Sequence, residues 1–434
     1  MNSPTTFDQI LDHALTVLTQ HKAFIRSLDW LVINRDLNGR VRLIVPESLS
    51  QNDQQTVNKL GVQLSILLGP HSHPSEQMII DDDSREAACQ GASAHPIEDW
   101  DNVYLADRLA TEGDWASIQP VIESTKRIAF FSIKGGVGRS TALAITAWSL
   151  AQSGKRVLVL DLDLESPGLS SSLLPAEKQP AYGITDWLVE DLVDNGDLIF
   201  DDMVSTSDLA HDGEIYVVPS HGADPGDYVA KLSRVWMPKA LDATQRECWS
   251  ARLLRLLTKL EEHYRPDVVL LDSRAGIDEV AGACVTDLGA NLVLLFALEG
   301  TQTWNGYRIL FKHWQQTGNA QAVRERLQMV GAMVPETDPA EYLASLRDES
   351  YALFADHLYD EVPSGEVGAD AFHYETADET GPHAPWPIRW QRGLAAVRSL
   401  HGRLAAIDAA EVTGTFGPLL SGLSLWLGEE NVHG

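Results

Sequence analysis

KGGVGRST, residues 134–141, follows the apolar run Ile128-Ala129-Phe130-Phe131-Ser132-Ile133 and leads into Thr141-Ala142-Leu143, the opening of an apolar helical stretch. The order is strand, glycine loop, helix start. Glycines in such a loop let backbone N–H groups turn inward around phosphate oxygens, and the helix N-terminus adds the positive end of its dipole. Ser140 falls where the hydroxyl of a phosphate-binding loop ligates Mg2+.

Two acidic stretches follow in the order such a loop requires. Leu160-Asp161-Leu162-Asp163-Leu164-Glu165-Ser166-Pro167-Gly168 ends one apolar run, and Leu270-Leu271-Asp272-Ser273-Arg274-Ala275-Gly276 ends another. Carboxylates one residue apart on a strand point to one face. A single carboxylate after a buried strand reads as a turn or helix cap. Two such strand ends beside a phosphate loop read as a Mg2+ site, because this cation takes a few hard oxygens and keeps several waters.

The surrounding pattern is strand–helix alternation from Lys126 onward, with strands expected at Ile128–Ile133, Val157–Leu160, Ile215–Val218, Val268–Leu271, Leu292–Phe296 and Met329–Val334. Continuous apolar runs of this length suit strands buried on both faces. The expectation is an α/β fold with a doubly wound, mostly parallel sheet and ligands at the carboxyl ends of its strands. Trp249–His263 reads as a helix, with Leu253, Leu256, Leu257 and Leu260 on one side.

Residues 1–125 read as a separate α+β accessory domain, and 126–434 as the phosphate-loop domain with a C-terminal helical extension. Phe7, Ile10, Leu11, Ala14 and Leu18 give an amphipathic helix, and Leu28–Ile33 and Val41–Val45 a hairpin turning at Asn38-Gly39. A second helix carries Val57, Leu60, Leu64 and Leu67; Gly69–Asp99 reads as loop or partly disordered, and Tyr104–Leu109 as a short helix.

KGGVGRST, DLDLESPGL and LLDSRAG together resemble the ParA/MinD family of P-loop ATPases with a deviant Walker A motif, over about residues 126–335. Gly183-Ile184-Thr185-Asp186-Trp187-Leu188 and Ile215-Tyr216-Val217-Val218-Pro219-Ser220 fit the same family. The resemblance implies ATP and Mg2+ as cofactors. It implies that Lys134 reaches across a dimer interface to the partner's ATP, and that Gly135, Gly136, Val137 and Gly138 cradle phosphate. Ser140 would then sit on Mg2+, Thr141 near the α-phosphate, and Asp161 just outside the metal's direct ligands. Asp163 would orient the attacking water and Asp272 would be the Walker B carboxylate. Phosphoryl transfer asks mostly for positioning and charge neutralisation, so these few residues suffice.

The chain departs from the family at two points. The second lysine of the loop is Arg139, either a tolerated cationic substitute or a device that slows hydrolysis. Where the family often has Asn beside the base, this chain has Val334-Pro335-Glu336-Thr337, so Val334 and Pro335 take the base-pocket positions by resemblance alone. Gln302, Trp304 and Asn305 read as a helix start.

Composition bounds what the chain does. There are 33 Lys+Arg against 62 Asp+Glu, a formal charge of −29, which opposes nucleic acid and anionic lipid. Cys89, Cys248 and Cys284 lack metal-ligand spacing and suit a reducing cytoplasm. No basic leader or membrane-length apolar segment is present, which points to a cytoplasmic chain without a membrane role. His71-Ser72-His73 reads as polar loop, and Asp81-Asp82-Asp83 as a solvated face or helix start. His383–Trp390 is a partner-binding edge or a rigid connector, and Phe416–Gly428 a packed terminal helix.

The expected function is an ATP-dependent switch: Mg2+-dependent hydrolysis coupled to homodimerisation and to recruitment or regulation of an effector or adaptor protein. KGGVGR together with DLDLESPGL resembles a branch of ParA-like proteins associated with bacterial effector or defence gene clusters. The alternatives are a nucleotide-binding regulatory module with little turnover, motivated by Arg139, and DNA partitioning, which the net charge opposes.

Overall fold

The computed structural model describes residues 5–428 apart from 112, 211, 243–244, 363–370, 392 and 394–399. The chain divides into two compact units, Met1–Asp114 and Trp115–Gly434.

In the first unit, β1 (Leu31–Arg35) and β2 (Val41–Pro46) form the hairpin expected from Asn38-Gly39. With β3 (Ile79–Asp82), β4 (Ser93–Pro96) and β5 (Val103–Asp107) they make a mixed sheet of order β3-β2-β1-β5-β4. Helices Ile10–Gln20 and Gln51–Leu68 cover one face, burying Ile10, Ala14, Leu18, Leu60 and Leu64 against Leu31, Ile33, Leu43 and Leu105. Leu68 takes the buried place expected for Leu67, which is exposed.

Two expectations are corrected here. The stretch 69–99 contains strands β3 and β4 and the helix Arg85–Ala88, so it is not one loop, and Asp81 and Asp82 end an edge strand. Val103–Asp107 is a strand, not a helix, because it pairs parallel with β1 from Leu31↔Val103 to Arg35↔Asp107. Five residues are too few for helical spacing to outweigh a ready strand partner. His73 is held by Arg42 and Asp36, in keeping with the polar reading.

The second unit is built on β6 (Lys126–Ser132), β7 (Arg156–Asp161), β8 (Ser205–Thr206), β9 (Glu214–Val218), β12 (Val268–Ala275), β13 (Leu292–Ala297), β14 (Leu327–Val334) and β15 (Trp386–Arg389); a separate small ribbon joins β10 (Lys239–Ala240) to β11 (Arg246–Glu247). The eight-stranded order is β15-β14-β13-β6-β12-β7-β9-β8, parallel throughout except for β8 against β9. All six strands expected from the apolar runs are present.

Alternation along β6 feeds two cores. Ala129 and Phe131 join Trp187, Trp249 and Trp314 on one face, while Ile128 and Phe130 meet the helix Arg139–Gln152 on the other. The terminal helix Ala409–Trp426 packs on that second face through Phe416, Leu419 and Leu423, as expected. His383–Trp390 supplies edge strand β15, so it is part of the sheet rather than only a connector. Residues 115–125 belong to this unit: Trp314 Nε1 donates to Trp115 O at 2.7 Å, and Asn291 Nδ2 to Ile122 O at 3.0 Å. The division at Asp114/Trp115 therefore lies upstream of the boundary read at 125/126.

Candidate functional site

The site forms where the chain winds outward in both directions from β6. Such a switch point leaves a crevice at the carboxyl ends of a parallel sheet. The loop after β6 turns through Gly136 (φ 75°) and Gly138 (φ 81°), and the helix begins at Arg139. A side chain at either glycine would meet no atom within 4 Å, so these glycines serve backbone conformation and an open concavity rather than close packing. Val137 is buried and anchors the loop, while Lys134, Gly135 and Gly136 are exposed at its rim; Ser140 and Thr141 are half-buried in the first helical turn.

The two acidic strand ends arrive beside this loop. Asp161 and Asp272 are register partners on adjacent parallel strands, and both are fully buried. Asp161 Oδ2 accepts from Ser170 N at 3.1 Å and Gly168 N at 3.3 Å, whereas its Oδ1 is buried without a partner. Burial, and then the facing Asp272, push the Asp161 carboxyl up to about 7. Asp272 is also raised by burial, against the opposing pull of Arg139 and Ser140. Asp163 is raised by burial, opposed by the Ser166 N–H, which donates to its Oδ1 at 3.1 Å, and by Arg139.

Arg139 joins these groups. Its Nε donates to Asp272 Oδ1 at 3.0 Å, its Nη1 to Ser132 Oγ at 3.2 Å, and its Nη2 lies 3.8 Å from Asp163 Oδ2. Its relative exposure is 7%. The structure thus brings together Arg139, Asp163 and Asp272, with Asp161 alongside. Val334 and Pro335 stand at the end of β14, separated from β6 by β13. Val334 is buried, and its carbonyl accepts from Trp390 N at 2.8 Å. Gln302, Trp304 and Asn305 lie in the helix Thr301–Gln316, matching the helix-start reading.

Three contributors were not read from sequence. Ser132 accepts from Arg139; Ser220 Oγ donates to Asp161 O at 2.7 Å; Arg274 pairs with Glu165 and lies 3.7 Å from Asp278. A polar residue at the end of an apolar strand (Ser132) or just past one (Ser220) is the signal for the two serines. Beyond the Asp161 loop, a polar cleft is lined by Gly168, Ser170, Ser171, His221, Gly222 and His401. Among the described residues no group of three or more His, Cys, Asp and Glu side chains could hold a metal ion, and no helix is long and apolar enough to cross a membrane.

The profile of the CobQ/CobB/MinD/ParA nucleotide binding domain (CbiA) matches residues 128–366, more than half of the chain. The chain belongs to this family. The CobQ/CobB/MinD/ParA match takes in the glycine loop and both acidic strand ends. A putative arsenical pump-driving ATPase of Halobacterium salinarum is 36% identical over 103 residues, which is 24% of this chain and only 14% of that relative's length. Among solved structures, a ParA family ATPase from Chlorobium tepidum is 15% identical with a TM-score of 0.44, covering 70% of this chain and 100% of that one. Cobyrinic acid a,c-diamide synthase from Mycobacterium smegmatis, solved with a bound ATP analog and magnesium, is 20% identical with a TM-score of 0.37, covering 52% and 82%.

Proposed function

We propose that this chain is an ATP-dependent switch, which binds and slowly hydrolyses Mg2+–ATP, pairs with a second copy when ATP is bound, and in that state engages an effector or adaptor protein in the cytoplasm. The observation that carries the reading is the register pairing of Asp161 with Asp272 beside the glycine loop, with Asp163 and Arg139 closing the same pocket.

The residues fit the nucleotide and its metal. The donors are hard oxygens, as Mg2+ requires; two carboxylates and a hydroxyl are enough because this cation keeps several waters. The unpartnered Asp161 Oδ1 and the open space over Gly136 and Gly138 fit the same assignment. Ser140 and Asp272 would hold the metal with Asp161 behind them. Gly135, Gly136, Val137, Gly138, Arg139 and Thr141 would bind phosphates, with Val334 and Pro335 toward the base. Bound Mg2+–ATP supplies the transferable phosphoryl group and a dication to neutralise its charge. The chain orients phosphates on its loop N–H groups and helix N-terminus, Asp163 orients the attacking water, and Lys134 at the loop's rim reaches toward a second copy. The first unit is where we assign partner specificity, and the KGGVGR form supports a place in a bacterial effector or defence gene cluster.

The test is solution mass without nucleotide, with ADP, and with ATP plus Mg2+, for wild type and Lys134→Ala. ATP-dependent doubling of mass that the variant loses is the expected result. An unchanged mass across all nucleotides rejects the switch. A second reading, tight ATP binding with little turnover, is favoured by the hold of Asp272 on Arg139 and would be separated by single-turnover phosphate release. DNA partitioning is opposed by the charge of −29, and salt-dependent retention on random duplex DNA would revive it.

A further inference from the structure

Arg139 is placed unlike a phosphate ligand. It is the first residue of its helix, yet its guanidinium is turned down into the acidic pocket instead of out over the glycine loop. All three of its nitrogens are engaged, with Asp272 within β12, Ser132 at the end of β6 and Asp163 in the loop after β7. Asp272 is the group assigned to the metal, and Asp163 the group assigned to the attacking water. A guanidinium stays charged at any relevant pH and spreads its donors in a planar fork, so one side chain can bridge two carboxylates; a lysine ammonium is a compact point charge.

We propose that Arg139 is a built-in counter-ion that occupies the cation position at Asp272 and Asp163 in the nucleotide-free chain and must swing out for Mg2+ to enter. The inference rests on the reading of this pocket as a Mg2+–nucleotide site, and concerns its regulation. A dication and a guanidinium on the same buried carboxylate repel each other strongly in a poorly screened interior. The move out needs only side-chain rotation, because Arg139 sits at the helix end that also presents the open loop over Gly136 and Gly138. Phosphate oxygens there give the guanidinium a bidentate partner to replace the one it leaves. Metal alone therefore binds poorly, while metal and nucleotide together each assist the other, a positive coupling between two ligands of one site. The guanidinium offsets part of the pocket's negative charge and holds it shut until both arrive.

The experiment titrates the nucleotide-free full chain with Mn2+ alone, read by electron paramagnetic resonance of free Mn2+. Arg139→Gln, which removes the charge and keeps a planar polar group, is expected to bind one Mn2+ on the order of tenfold more tightly than wild type, within the usual range of such couplings. Adding Asp272→Asn to that variant should abolish the gain. Equal Mn2+ affinity in wild type and Arg139→Gln overturns the proposal, as does a gain that survives Asp272→Asn. Should Arg139→Gln fail to fold, wild-type protein carries the test through the 15N-labelled arginine Nε–H signal, assigned with Arg139→Lys. That signal is expected to change its chemical shift when ATP plus Mg2+ is added, as Asp272 is exchanged for another partner; an unaltered signal in ATP-loaded protein overturns the latch. ATP affinity, measured separately by calorimetry, keeps the two readings apart. Metal competition without ATP binding leaves the counter-ion standing and removes the ATP switch, whereas ATP binding with equal Mn2+ affinities does the reverse.

Discussion

The N–H of Ser170 donates to Asp161 Oδ2 at 3.1 Å, so a carboxylate at the end of β7 closes the loop that follows it. The Gly168 N–H shares that oxygen at 3.3 Å. Asp161 therefore shapes residues 162–170 with one oxygen and leaves the other buried without a partner.

Asp161→Asn keeps an acceptor for these two N–H groups, and Asp161→Ala does not. The alanine variant is expected to be less stable than the asparagine variant by about 1–3 kcal/mol, the cost of unsatisfied buried donors. Urea denaturation of both measures the difference. Equal stabilities would show that loop closure does not depend on this oxygen.

Two glycines near the site should respond differently to alanine. Gly138 has φ 81° and open space around it, so Gly138→Ala should cost only backbone strain, about 1–2 kcal/mol. Gly222 would place a Cβ 1.9 Å from Ala181 O, where the backbone of a neighbouring loop must shift. Gly222→Ala should cost more than about 4 kcal/mol or prevent folding, as measured by chemical denaturation.

Arg127 and Glu261 form a buried bidentate pair at 2.7 and 2.6 Å, and Arg127 Nη1 also donates to Leu288 O at 2.7 Å. Removing one partner strands the other charge. Arg127→Leu or Glu261→Leu alone should cost about 3–5 kcal/mol, while the double leucine variant should cost less than either. Denaturant midpoints of the three variants decide this.

His383 is fully buried among Tyr351, Tyr359 and Tyr374, with Tyr359 Oη 2.6 Å from its Nδ1. Burial holds its pKa below the usual imidazole value, with Arg347 adding to that and Thr376 O and Asp378 opposing it. The unfolded chain takes up a proton as pH drops below about 6.5, whereas the folded chain resists it. This contribution to stability is complete above that pH and is lost as pH falls toward the folded value. The stability advantage of wild type over His383→Gln should therefore shrink between about pH 7.5 and about pH 5.5. A gap that stays constant would mean that His383 titrates normally.

The motif strands were legible because parallel strands buried on both faces read as unbroken apolar runs, as in Val157–Leu160 and Leu292–Phe296. The strands of the first unit were harder. Ser93-Ala94-His95-Pro96 is short and polar, and only its pairing with β5 makes it a strand. From its position and charge, Arg139 reads as a cationic substitute for the loop's second lysine. Its partner Asp272 lies 133 positions further along the chain, and Ser132 seven positions before it, so only the fold joins the three. Spacing reveals which groups are available, whereas the strand order decides which of them meet.

The eight-stranded sheet ends on one side in the two-residue antiparallel β8 and on the other in the four-residue β15, which includes Pro387. A two-residue strand offers almost no template for a further chain, and proline removes a donor from the opposite rim. Despite its width, this sheet is protected from end-to-end polymerisation, which matters if, as the proposed switch requires, the protein meets copies of itself reversibly. The proposed ATP-dependent pairing would then run through loops and helices rather than by fusing sheets into fibres.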